Sequence, residues 1–149
     1  MDLILWRHAE AEDGFPDDAR VLTPKGKRQA ERMAAWLAPR IEGARLLTSP
    51  SARAVGTATA LSPHVEALPS LSPGSSVRVI LAAAGWPGAK GAVVVVGHQP
   101  DLGLAAAFLL TGREAPLSIK KGAAWWFQSR PTQDGWATVL RAVLSPDLL

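Results

Sequence analysis

A three-layer α/β/α sandwich around a mostly parallel mixed sheet is the fold class this sequence predicts. Three observations carry that expectation. Apolar runs alternate with helix-period segments through the first two-thirds of the chain. One of those runs, Ala92–Val96, is continuous and β-branched, the pattern of a parallel strand covered on both faces. The last third instead holds two strand-like segments joined by a polar connection, which reads as an antiparallel hairpin at the end of the sheet. The 149 residues suit one compact domain over 1–149, and 48% apolar content is enough for a sizeable core.

Taken in order, Asp2–Trp6 predicts a first buried strand, followed by a polar stretch from Glu10 to Val21 broken by Gly14 and Pro16. Thr23 is a good N-cap with Pro24 at the first helical position. Ala30, Met33, Ala34, Leu37 and Ile41 recur at helical spacing and define its buried face, and Pro39 ends the regular helix. Arg45–Thr48 is a short second strand. Ser49-Pro50 opens another helix with Val55, Ala58 and Leu61 inward, closed by Ser62-Pro63. Pro69 to Ser76 is a loop, Val77 to Ala84 a short helix, and Gly85–Gly91 a turn region. After Ala92–Val96, Pro100 starts a helix carrying Leu102, Ala106, Leu109 and Leu110 that stops at Gly112. Ala123–Gln128 and Trp136–Val143 form the hairpin, connected through Pro131 and Gly135.

Composition narrows the function classes. A net charge of +3 is too mild for a nucleic-acid surface, and the densest basic cluster, Lys25-Lys27-Arg28-Arg32, reads as a solvated helix face. With no cysteine, disulfides, thiolate catalysis and cysteine-ligated zinc are excluded. The N-terminus resembles no signal peptide, and the apolar stretches are too short to span a bilayer. A cytoplasmic protein that engages neither nucleic acid nor membrane is expected.

Three predicted strands end in polar residues: Arg7-His8 after the first, Thr48-Ser49-Pro50-Ser51-Ala52-Arg53 after the second, and Gly97-His98 after Ala92–Val96. Ligands in open parallel sheets bind outside the carboxyl ends of the strands. If these strands are parallel neighbours, two arginines and two histidines converge on one pocket. Two guanidiniums plus a histidine donor suit a dianionic tetrahedral group, and the remaining imidazole can attack phosphorus in line. Free amides in the first turn around Arg53 add capacity for an anion. Two histidines without carboxylates at ligand spacing make a poor metal site, so neither metal nor cofactor is expected.

These residues carry a family resemblance. Leu5-Trp6-Arg7-His8-Ala9-Glu10 is similar to the Arg-His-Gly signature of the histidine phosphatase (phosphoglycerate mutase-like) superfamily, with Ala9 at the third position. Asp18-Ala19-Arg20-Val21-Leu22-Thr23-Pro24-Lys25-Gly26 with Gln29-Ala30 resembles the segment that follows it. Ser49-Pro50-Ser51-Ala52-Arg53-Ala54 with Thr57-Ala58, and Gly97-His98-Gln99-Pro100-Asp101-Leu102, resemble the second and third motifs. Lys120-Lys121-Gly122 and the short length look like the SixA-type phosphohistidine phosphatases. The resemblance implies a phosphoglycerate mutase-like fold. It also implies His8 as the phosphorylated nucleophile, with Arg7, Arg53 and His98 on the phosphoryl group. Arg20 is a candidate at the pocket rim, and amides near Ala9 or Gln99 are further candidates.

Two departures matter. Gly56 stands where the second motif usually carries glutamine. Ser70 stands near the position of the glutamate that protonates a leaving oxygen in many family phosphomonoesterases. A serine hydroxyl is too weak an acid for that task, whereas a phosphoramidate needs less help because its P–N bond is weak once nitrogen is protonated. Glu10, Glu12 and Glu66 remain surrogate acids. His8 must be neutral to attack, and Arg7 and Arg53 favour that state. His64, in a Pro-flanked loop, is expected at the surface. Lys120 and Lys121 either attract an acidic partner or guard a strand edge. Trp125, Trp126 and Trp136 are expected in core or sheet packing.

The expected function is a cofactor-independent protein phosphohistidine phosphatase acting on phosphotransfer proteins. The alternatives are a small-molecule phosphomonoesterase, whose partner is a phosphorylated metabolite, and a non-catalytic module that binds phosphorylated partners.

Overall fold

In the computed structural model, which describes residues 1–149, ten regular elements follow one another. They are β1 (Asp2–Arg7), α1 (Pro24–Leu37), β2 (Arg45–Thr48), α2 (Ala52–Thr59), β3 (Glu66–Ala67), α3 (Val77–Ala84), β4 (Ala92–Gly97), α4 (Asp101–Thr111), β5 (Ala124–Thr132) and β6 (Gly135–Leu144). Six strands form one sheet in the order β3-β2-β4-β1-β5-β6. The first four are parallel, and β5 and β6 are antiparallel to their neighbours. This is the α/β fold of the phosphoglycerate mutase type that the resemblance implies.

Strand alternation splits the core into two layers. Leu3, Leu5, Leu47, Val93 and Val95 face α3 and α4, together with Phe127. Ile4, Trp6, Leu46, Val94 and Val96 face α1 and α2, together with Trp126. The central strands are therefore buried on both sides, which is why Leu3 to Trp6 and Val93 to Val96 read as unbroken apolar runs.

The elements nearest the site start and stop for local reasons. Thr23 caps α1, its Oγ1 accepting from Gly26 N at 2.9 Å. Gly26 must be glycine, because a Cβ there would collide with the Glu10 carbonyl. The start of α1 thereby lies against the chain just beyond β1.

Several expectations need correction. Ser49-Pro50 does not open α2. The helix begins at Ala52 with Ser51 as N-cap, and its buried residues are Arg53, Ala54, Thr57 and Ala58, while Val55 and Leu61 are half-buried. An eight-residue helix beside the site turns polar residues inward, so apolar periodicity misplaced its inner face. Ile41 is buried but lies beyond α1, after a 3₁₀ turn over Ala38–Arg40 that contains Pro39. Leu110 is exposed, because α4 is apolar almost all round and its face cannot be assigned by pattern. The hairpin is longer than expected: Pro131 lies within β5 and Gly135 opens β6. Trp126 is buried and Trp125 stacks on Phe127 at 6.4 Å between ring centroids, but Trp136 near the hairpin tip is half exposed. Lys120 and Lys121 form an exposed turn before β5, not a strand edge. The edge strand β3, too short to show a period, was not expected at all.

Candidate active site

The strand order puts β4 between β2 and β1, so the three polar strand ends are parallel neighbours. Arg7 pairs in register with Gly97, and Thr48 with Val96. The ladder continues one residue further: His8 N donates to the Gly97 carbonyl and Ser49 N to the Val96 carbonyl, both at 3.0 Å. His8 and Ser49 therefore leave the sheet from hydrogen-bonded positions at one edge, where His98 follows the end of β4.

His8 is 8% exposed, and its Nδ1 lies 2.8 Å from the Ala9 carbonyl. A carbonyl only accepts, so Nδ1 carries the proton and Nε2 presents a lone pair. Arg53 Nε approaches that Nε2 at 3.4 Å. The His98 ring stands beside it, 5.2 Å between centroids. Arg53 Nη2 lies 3.4 Å from His98 Nδ1, so this nitrogen is the acceptor and Nε2–H of His98 donates to Ser49 Oγ at 2.8 Å. Ser51 Oγ lies at 3.4 Å from the same nitrogen.

Both imidazoles are neutral near pH 7. Burial lowers His8 to about 4, opposed by its bond to the Ala9 carbonyl and helped by the smaller effects of the Arg53, Arg7 and Arg20 charges. Burial and then the neighbouring His8 and Arg53 lower His98 to about 3.

Arg7 reaches the same edge from the other side. Its Nη1 donates to the Ile119 carbonyl at 2.8 Å, while its buried Nε has no partner. The turn over Lys120–Gly122 is tied to the site, since Gly122 N donates to the Arg7 and His8 carbonyls at 3.1 Å. Trp6 Nε1 donates to the Gly122 carbonyl at 3.0 Å. The lysines thus sit on a turn fastened behind Arg7-His8.

Thr57 connects the first two motifs. Its Oγ1 accepts from Ala9 N at 2.9 Å and donates to the Arg53 carbonyl at 2.8 Å. The Ala9 amide, one of the expected phosphate donors, is therefore already engaged. Glu10 and Gln29 are likewise scaffold: Glu10 N donates to Gln29 Oε1, and the Glu10 carboxylate accepts from Thr23 Oγ1 at 2.8 Å. Glu66 is paired with Arg45 at 3.1 Å, toward the amino-terminal end of β2 and away from the site. Glu12 is exposed, and Ser70 is exposed on a 3₁₀ turn. Gly56 faces Leu22, whose side chain would lie 3.3 Å from an added Cβ. His64 is exposed, as expected.

Asp17, Ser49, Ser51 and Thr57 are the residues that sequence reasoning did not assign. Asp17 Oδ2 accepts from Arg53 Nη2 at 3.0 Å, and its Oδ1 accepts from Arg20 Nη1 at 2.9 Å. Only the Asp17–Arg20 spacing of three was a local signal for this; the partnership with Arg53 is 36 residues distant.

The arrangement can hold a tetrahedral dianion between guanidiniums and bring an unprotonated imidazole nitrogen to its centre. Residues 3–74 match the model of the histidine phosphatase superfamily (branch 1). An uncharacterized protein of Picosynechococcus sp. is 38% identical over 137 residues, covering 81% of each chain. Among solved structures, the protein histidine phosphatase SixA complexed with tungstate is 28% identical with a TM-score of 0.80, covering 99% of both chains. A candidate phosphohistidine phosphatase SixA from Nakamurella multipartitia is 27% identical with a TM-score of 0.79, covering 97% of this chain and 95% of its own.

Proposed function

Given that this chain belongs to the histidine phosphatase superfamily and is a phosphatase, we propose that it is a protein phosphohistidine phosphatase working through a phosphorylated His8. The observation that carries the reading is the orientation of His8. Its Nδ1–H is committed to the Ala9 carbonyl, which turns the Nε2 lone pair toward Arg53.

In the first step Nε2 attacks phosphorus in line and the P–N bond of the substrate breaks, leaving the phosphoryl group on His8. Arg7, Arg53 and Arg20 hold the phosphoryl oxygens, and Arg7 Nε gains the partner it lacks. His98 contributes as its other neutral tautomer, turning Nδ1–H to a phosphoryl oxygen while Nε2 accepts from the Ser49 hydroxyl. Water then attacks the phosphohistidine and releases phosphate, restoring His8.

The leaving side favours a phosphoramidate. Glu10 and Glu66 are engaged elsewhere. The Arg20 and Arg53 guanidiniums hold the Asp17 carboxyl below the usual carboxylate range, so it stays ionised and has no proton to give. A leaving imidazole can carry its own proton, but an alkoxide cannot. Kinship of the fold with SixA proteins, the first described as a protein histidine phosphatase, supports the same substrate class.

The test sets a phosphohistidine protein beside a panel of phosphomonoesters, with wild type and His8→Ala. Turnover of the phosphohistidine protein, abolished in His8→Ala, is expected. Turnover of esters alone would reverse the substrate ranking. Phosphate-dependent binding without turnover would favour a binding module.

A further inference from the structure

Arg53 is only 5% exposed, and a buried guanidinium is costly without an anion beside it. Asp17 supplies that anion. Its Oδ2 accepts from Arg53 Nη2 at 3.0 Å, and its backbone carbonyl accepts from Nη1 at 2.8 Å. Oδ1 accepts from Arg20 Nη1 at 2.9 Å. Two carboxylate oxygens thus bridge two guanidiniums, as two oxygens of a phosphoryl group would.

Asp17 nevertheless stands outside the rigid frame. Its side chain is 62% exposed and sits on a 3₁₀ turn over Asp17–Ala19. The loop carrying that turn is clamped at its base, by the Ala11–Leu22 bridge and the Glu12 N to Val21 carbonyl bond at 2.8 Å. Residues 12–19 between those clamps are exposed throughout. The carboxylate can therefore leave Arg53 for water without opening the core.

We infer that Asp17 is an internal stand-in for the substrate, holding Arg53 and Arg20 in place until a phosphoryl dianion displaces its carboxylate. The inference rests on the reading of this pocket as the phosphoryl site. It makes Asp17 a specificity-determining residue. A carboxylate competitor brings one charge and two oxygens, no more than Asp17 already provides. A phosphoryl dianion brings a second charge and a third oxygen for Arg7 and His98, and so prevails.

The test is calorimetric titration of inorganic phosphate into wild type, Asp17→Asn, Asp17→Ala and Asp18→Asn, each shown to be folded by its melting curve. Asp18 is exposed next to Asp17 and controls for loss of one negative charge nearby. Affinity is expected to rise about ten-fold in both Asp17 variants and less than about two-fold in Asp18→Asn. With turnover substrate, KM falls while kcat changes less than about two-fold. Unchanged or weaker phosphate binding in the Asp17 variants would mean that the carboxylate only positions Arg53, and would overturn the inference. An equal gain in Asp18→Asn would reduce it to general electrostatics and overturn it too. Phosphate binding undiminished in Arg53→Ala would place the anion elsewhere and overturn the pocket reading itself.

Discussion

Arg53 Nε stands 3.4 Å from His8 Nε2, while the other ring nitrogen of His8 is held by the Ala9 carbonyl at 2.8 Å. One buried guanidinium therefore faces both the attacking nitrogen and the acceptor nitrogen of His98, 3.4 Å from its Nη2. Burial, helped by the Arg53 charge, keeps His8 unprotonated, and in the proposed mechanism the same guanidinium meets the phosphoryl oxygens.

Removing that nitrogen should remove the chemistry. His8→Ala is expected to lose at least about 10³-fold in kcat, as deletion of other enzymatic nucleophiles does. Rapid quench of wild type with labelled substrate should show an acid-labile phosphoenzyme that maps to His8 and is missing from the variant. An acid-stable phosphoserine would contradict the mechanism.

Charge alone should not replace the fork of Arg53. Lysine offers a point charge that cannot meet His8, His98 and a phosphoryl oxygen together. Arg53→Lys is expected to lower kcat/KM by about 10²-fold. Steady-state kinetics beside a melting curve separates this from loss of fold. Activity within a few-fold of wild type would mean that Arg53 serves only as a cation.

Both site histidines have folded-state pKa values well below 6.5, about 4 for His8 and about 3 for His98. Between 6.5 and about 3 the unfolded chain binds more protons than the folded one. Stability should thus be retained above pH 6.5 and decline as pH falls through this window. Urea midpoints at half-unit intervals check it, and His8→Asn should flatten the slope. For the free enzyme, kcat/KM should stay level on the acid side until pH approaches 4, where His8 gains its proton. An acid limb centred at 6.5 would contradict the burial of His8.

The scaffold predicts its own losses. Thr57→Val leaves the buried Ala9 amide without its acceptor, which costs about 1–3 kcal/mol. Gly26→Ala drives a methyl group into the Glu10 carbonyl and forces α1 away from the site, at a similar cost of about 1–3 kcal/mol. Chemical denaturation measures both. Neither variant removes a phosphate ligand, so a fall in kcat beyond the loss of folded protein would report displacement of Ala9 and His8.

Strand runs, the Thr23-Pro24 helix start and the motif blocks were legible in the sequence because each is local. Period, cap and turn chemistry act over a few residues, so β1, β4, α1 and α3 were placed nearly to the residue. The same locality made Arg7, His8, Arg53 and His98 recognisable as a set, once each was seen to follow a strand. The inner faces of α2 and α4 were not legible, since a helix beside a polar site, or one apolar all round, has no single apolar stripe to read. Nor were the duties of Asp17 and Thr57. Asp17 meets Arg53 across 36 residues and Thr57 meets Ala9 across 48, and no local preference encodes such meetings. Only the strand order, with β4 between β2 and β1, brought the three polar ends to one edge. That order is settled by burying β1, β2 and β4 on both faces at once, a balance struck by the whole core rather than by any one segment.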